Sequence, residues 1–183
     1  VTTGDRNTAL GHAALGANQG GSGNVAIGAE SLDANVGGEQ NVAVGWMSLT
    51  SNTGGTSNTA VGTYAGYATT GNYNTTLGHQ SLYLNSSGSS NTAIGRQALK
   101  SNSSASDNTA VGENAGDVIT TGSNNVIIGS GADPSANSGT NQIVIGYNVT
   151  GTGNNEIALG NTDISAIKAQ VTSITGYSDR RIK

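Results

Sequence analysis

Two histidines, a scatter of carboxylates and a group of aromatics are the side chains in this sequence whose types could do chemistry. His12 and His79 each follow a Leu-Gly pair, and neutral imidazole is a common metal ligand. The same position after the glycine also carries Ala29, Trp46, Thr63, Arg96, Glu113 and Tyr147, a variety that describes a solvated outer position. No metal site is expected. Asp5, Glu30, Asp33, Glu39, Asp107, Glu113, Asp117 and Asp133 recur at no spacing that would converge two carboxyls on one bond. No glycine-rich run ends in Gly-Lys-Ser/Thr, so no phosphate loop is present. Nothing among residues 1–160 pairs a nucleophile with a base, and neither an enzyme nor a cofactor is expected. Trp46, Tyr64, Tyr67, Tyr73 and Tyr83 are the aromatics of three successive segments. Tyr67 and Tyr83 share one register, with Lys100 next on it. Stacked, such residues form either a platform for a sugar ring or protein, or padding for a thin structure.

What must position them is a repeat. Asn7-Thr8-Ala9-Leu10-Gly11 returns as Asn24-Val25-Ala26-Ile27-Gly28, Asn41-Val42-Ala43-Val44-Gly45 and Asn58-Thr59-Ala60-Val61-Gly62. Four more copies begin at Asn74, Asn91, Asn108 and Asn125, and two looser ones span Asn141 to Gly146 and Asn155 to Gly160, each with one extra residue. The glycines step by 17, 17, 17, 16, 17, 17, 17, 17 and 14 residues. Three and four residues after the glycine come Ala14-Leu15, Ser31-Leu32, Ser48-Leu49, Ser81-Leu82 and Ala98-Leu99, with Gly66 and Gly116 replacing Leu in two copies. A second asparagine follows at Asn18, Asn35, Asn52, Asn85 and Asn102.

The pentad alternates β-branched with small residues and reads as a strand. Period 2 puts its first and third variable residues on one face and Asn, Ala and Gly on the other. Seventeen residues allow two short strands plus turns, so each copy is one coil of a parallel β-solenoid of about ten coils. The aliphatics are expected to stack as a dry rail and the asparagines to form amide ladders.

Composition agrees with a thin solenoid and excludes much else. Gly 29, Asn 22, Thr 22 and Ser 21 fill about half of the 183 residues, while apolar residues are 34% and cysteine is absent. No disulfide framework is available, and no run of about 18 apolar residues suits a membrane helix. A net charge of −4 offers no basic footprint for nucleic acid. Gly20-Gly21-Ser22-Gly23-Asn24 is close to a calcium-binding nonapeptide, but Val25 stands where the Asp is needed. A coil this thin buries little area alone, which points to a rod built from several parallel chains.

The Asn-Thr-Ala-Val-Gly unit followed by Ala-Leu resembles the head repeats of trimeric autotransporter adhesins, over roughly residues 7 to 160. It is also similar to segments of phage tail fibres and bacterial surface proteins. The resemblance implies a homotrimeric β-roll, although the period of 17 exceeds that of the adhesin heads. Tyr177-Ser178-Asp179-Arg180-Arg181-Ile182-Lys183 closely resembles the start of the intramolecular chaperone domain of phage tail fibres and tailspikes. That resemblance implies cleavage between Ser178 and Asp179, with Ser178 as nucleophile and Lys183 as its partner. Residues 1–160 then form the repeat rod, 161–178 a neck and 179–183 the first residues of the chaperone. Ile164, Ile167, Val171 and Ile174 are spaced as in a coiled coil, but Ser165, Thr172, Ser173, Thr175 and Gly176 favour strands in an intertwined trimeric neck.

The expected function is a structural and receptor-binding segment of a trimeric phage tail fibre on the virion. Its partners would be its own copies and a host cell-surface glycan or outer-membrane protein, without membrane insertion. A bacterial surface adhesin is the alternative. An ice-binding solenoid using Thr8, Thr59, Thr75, Thr92 and Thr109 is the weaker one, interrupted by Val25, Val42 and Val126. The cleavage motif carries its own test in a chain continued into such a chaperone. Wild type should end at Ser178, whereas Ser178→Ala stays intact and Lys183→Ala is cut slowly, as read by intact mass. Cleavage of the Ser178→Ala chain at the same bond would assign the cut to an outside protease.

Overall fold

A computed structural model describes residues 4–166. Each pentad forms a strand of three residues: β1 (Thr8–Leu10), β2 (Val25–Ile27), β3 (Val42–Val44), β4 (Thr59–Val61), β5 (Thr75–Leu77), β6 (Thr92–Ile94), β7 (Thr109–Val111), β8 (Val126–Ile128), β9 (Ile143–Ile145) and β10 (Ile157–Leu159). They make one parallel sheet in the order β1 to β10, each strand paired in register with the next copy of itself. Ten strands bound nine complete coils, one fewer than the repeat count suggests. At about 4.8 Å per rung the sheet is about 43 Å long. Among the described residues there is no helix.

One strand per coil, not two, is what forms. After the strand the backbone enters the left-handed region at two positions separated by one residue, as at Glu30 (φ 57) and Leu32 (φ 50), or Gln97 (φ 61) and Leu99 (φ 51). This alternation ends any extended run, yet the turns still stack. Leu32 N–H donates to Ser48 O at 3.0 Å and Ala34 N–H to Thr50 O at 3.1 Å in the next coil. A leucine at positive φ costs roughly 1–2 kcal/mol. Leu32, Leu49, Leu82 and Leu99 are buried there, which returns about 1.5–3 kcal/mol each, so burial prevails.

In most strands the two faces separate small side chains from large ones. The small middle residues Ala26, Ala43, Ala60, Ala93 and Ala110 point into the coil and pack with those leucines. The aliphatics on either side point outward: Leu10, Ile27, Leu77, Ile128, Ile145 and Leu159 are all exposed. Their rail runs along the outside of the single chain because its interior has room only for an Ala opposite a Leu. The glycine ending each strand is obligatory. At Gly45 (φ 133) a Cβ would stand 2.5 Å from Gly62 O of the next coil, inside any permissible contact.

The asparagine row at the strand entrances forms a ladder, as expected, whereas the second row forms only two separate pairs and leaves Asn35 Oδ1 and Asn102 Oδ1 buried without a partner. Asn24 Oδ1 accepts from Asn41 N–H (2.9 Å) and Asn41 Nδ2 (3.2 Å), while Asn41 Nδ2 also donates to Gly55 O (2.8 Å). The pattern repeats through Asn58, Asn74, Asn91, Asn108 and Asn125. In the second row Asn35 Nδ2 donates to Asn18 Oδ1, and Asn102 Nδ2 to Asn85 Oδ1. The looser copies are not insertions within the strand. Gln142 takes the rung, its N–H donating to Asn125 Oδ1 at 3.0 Å, and Asn141 is the left-handed turn residue before it (φ 52). Of the apolar residues assigned to the neck, Ile164 is exposed; Ile167, Val171 and Ile174 lie outside the described residues, as do Ser178, Asp179 and Lys183.

Gly66 and Gly116 leave out a core leucine, and two other positions respond. After Gly116, Ile119 replaces the second asparagine and Ile127 replaces the strand alanine, both fully buried. After Gly66 the same two positions hold Thr69 and Thr76, also buried, and neither hydroxyl finds a partner. Thr69→Ile with Thr76→Ile copies the solution of the later coil and removes two unpaired buried hydroxyls. We expect the double variant to gain about 1–3 kcal/mol in denaturant unfolding; a loss would show that these coils do not share one packing rule.

Candidate functional site

The corner that leaves each strand is where the repeat tolerates variety. Its first residue after the glycine is Trp46, Thr63, His79, Arg96 and Glu113 in coils of the middle of the rod, and its second is Met47, Tyr64, Gln80, Gln97 and Asn114. Backbone hydrogen bonds hold these residues in line: Tyr64 N–H donates to Trp46 O (3.0 Å) and Gln80 N–H to Thr63 O (3.1 Å).

Tyr64 is the hub of an aromatic cluster here. Its left-handed backbone (φ 58) carries the ring to within 4.9 Å of Trp46, 5.7 Å of Tyr67, 6.1 Å of Tyr83 and 6.4 Å of His79, centroid to centroid. Tyr67 and Tyr83 stack on each other at 5.0 Å and 17°, as their shared register implies. The contacts of Tyr64 with Tyr67, Tyr83 and His79 are edge-on, the favourable arrangement for aromatic quadrupoles. Trp46 keeps 48% of its surface exposed.

Of the residues singled out from sequence, Trp46, Tyr64, Tyr67 and Tyr83 are brought together. Tyr73 is not: it precedes β5, at the turn that enters the strand, is exposed, and makes no ring contact among the described residues. Lys100 follows Tyr83 on the same rail and acts on Asp117 in the next coil, whose carboxyl is raised by burial and lowered by the Lys100 charge. His79, read from sequence as merely solvated, is exposed but also packs edge-on against Tyr64. Its place one rung beyond Thr63, beside Tyr64, was the available signal.

Polar groups continue the corner beyond the rings. Gln97 Nε2 donates to Gln80 Oε1 at 2.8 Å, and Arg96 pairs with Glu113, Nε to Oε1 at 3.1 Å. A carboxyl pair lies farther along. Asp133 is pushed up to about 6 by burial first and the Asp117 charge second, against the lowering effect of a hydrogen bond from Val118 N–H. Its Oδ1 is buried without a partner. Spacing gave no sign of this pair, because the two residues occupy different registers of their coils. Among the described residues no three His, Cys, Asp or Glu side chains are placed to hold a metal. No protein-family model, curated protein or solved structure matches the chain.

The Asp133 carboxyl generates a pH dependence of defined sign. Its folded value lies above the ordinary 3.8, so the charged form disfavours folding and stability rises as pH falls through 6 toward 4. Asp133→Asn should raise the melting temperature at pH 7.5 and flatten its change between pH 7.5 and 5. Equal slopes for wild type and variant would remove Asp133 as the cause.

Proposed function

We propose that this chain is a shaft segment of a homotrimeric fibre that attaches to a host surface, of the kind its repeats and C-terminal residues resemble in phage tail fibres; a bacterial surface adhesin is the alternative. The observation that carries the reading is the outward face of the ten-stranded sheet. Leu10, Ile27, Val44, Val61, Leu77, Ile94, Val111, Ile128, Ile145 and Leu159 form an unbroken aliphatic row along it, beside a row of Thr, Val and Ile. A face about 43 Å long and roughly 10 Å wide is a strip on the order of 400 Å², within the range of about 300–600 Å² of the largest patch on a monomer, a size of patch that often marks an interaction site. Covering it with copies of itself takes that surface out of water, a gross gain of at most about 10 kcal/mol per chain before the cost of association.

Parallel chains suit this strip because every rung repeats at one spacing, so one matching rung aligns all the others. The rod then presents three copies of the corner that carries the aromatic cluster, and weak contacts at each copy add through avidity. The same face offers a second reading. Thr8, Thr59 and Thr75 are exposed on it and Thr92 and Thr109 half-exposed, which suits an ice-binding array if the chain is a monomer.

Light scattering on the folded fraction should give three times 18.1 kDa. Val61→Glu with Ile94→Glu, placing charges on two rungs of the outward row, should reduce the species to monomers. A stable folded wild-type monomer would overturn the fibre reading, and inhibition of ice recrystallisation by that monomer would favour the other.

A further inference from the structure

We infer that the aromatic corner over the third to sixth coils is a binding platform for a neutral oligosaccharide laid along the rod; this rests on the attachment reading above. The rings supply one half of such a site. Tyr64, Tyr67 and Tyr83 lock one another through stacked and edge-on contacts, so little side-chain freedom is left to lose on binding. Trp46, tilted on Tyr64 and the most exposed of the four, offers a free indole face. The C–H face of a pyranose packs on such a ring, and no pocket is needed for that contact.

The other half is hydrogen bonding at a matching interval. Gln80 and Gln97 are joined amide to amide one rung apart on the same corner, and their remaining donor and acceptor sites are those that hydroxyl groups of a sugar can share. A pyranose unit extends over about one rung of the sheet, so a linear oligomer meets rings and amides in succession.

Charge selects the class of sugar. Arg96 is paired with Glu113 one coil on, while Lys100 has the Asp117 carboxyl near enough to feel its charge without forming an ion pair, so the cations and carboxyls of this corner balance one for one. Among the described residues the corner therefore offers no surplus of positive charge to attract a carboxylate or sulfate. An acidic glycan would meet Glu113 and Asp117 and compete with Glu113 for Arg96, while a neutral one leaves that pair intact.

Trp46 is the sole tryptophan of the chain, so its emission reports on this surface without a label. Maltohexaose, cellohexaose and chitohexaose are titrated into the full chain, with oligogalacturonate as the acidic comparison. At least one neutral oligomer should shift Trp46 emission saturably, with oligogalacturonate at least tenfold weaker. Gln80→Ala, a surface change, should weaken that binding threefold or more, and Tyr83→Ala tenfold or more, in samples with unchanged far-ultraviolet circular dichroism. No response to any neutral oligomer, or a response to the acidic one alone, overturns the inference. So does a response that neither variant diminishes. Light scattering on the same samples keeps the two readings apart: a trimer that ignores every neutral sugar loses this inference only, and a monomer that binds one loses the fibre alone.

Discussion

The buried side-chain amide is the interaction on which the rest of this structure depends. From Asn24 to Asn125, the asparagine at the entrance to each strand is buried, and leaving its Oδ1 or Nδ2 unpaired costs roughly 1–3 kcal/mol. The geometry leaves one source of partners, the equivalent asparagine and the turn carbonyl of the adjoining coil, as at Asn41 with Asn24 and Gly55. A coil therefore cannot drift against its neighbour without breaking three or four bonds at once. Other regularities follow from that lock. The glycine after the strand must lack a Cβ because the next backbone lies directly above it, and the leucine must accept a left-handed backbone because the turn has to close within the same rung.

The period and the strands were legible in the sequence because a ladder repeats its residue types wherever it repeats its bonds. That the aliphatic rail would lie on the outside of the single chain was not. Alternation shows that Val42 and Val44 share a face, but the usual rule that larger apolar residues go inside fails when the interior is only as wide as Ala43 and Leu49. The single strand per coil was hidden for a related reason: Glu30 and Leu32 are ordinary residues whose left-handed backbone is imposed by stacking and not advertised by glycine. At the aromatic corner, the Tyr67–Tyr83 stack could be read from register. Tyr64 as the hub could not, since its direction depends on that same unadvertised turn, and Tyr73 was grouped with the rings by proximity in sequence although its turn lies before the strand.

Compensation across coils adds a second kind of information. A glycine where leucine is expected does not mark a defect when the second asparagine and the following strand alanine change with it. Gly116, Ile119 and Ile127 form one packing unit spread over residues that are neighbours only after folding. Thr69 beside Gly66 repeats the arrangement with less apolar volume, and the coil concerned is also the one that is a residue short. The aromatic cluster is centred on the outside of that same coil, so the rod is braced externally where its interior holds two unpaired hydroxyls.

Identical rungs have a consequence for how the chain reaches this state. If the polypeptide pairs one coil out of place during assembly, the amide ladder, the glycine row and the leucine row all still match, and the error carries almost no local penalty. Uniform solenoids are in this sense prone to kinetic traps that differ from the native form by a whole period. The sixteen-residue coil ending at Gly78, the glutamine at the rung of residue 142 and the fourteen-residue coil ending at Gly160 break the degeneracy. A slipped chain would set a long coil against a short one, or place Gln142 where an asparagine belongs. These irregular places act as the marks of a vernier scale, by which a sequence of near-identical units finds a single alignment.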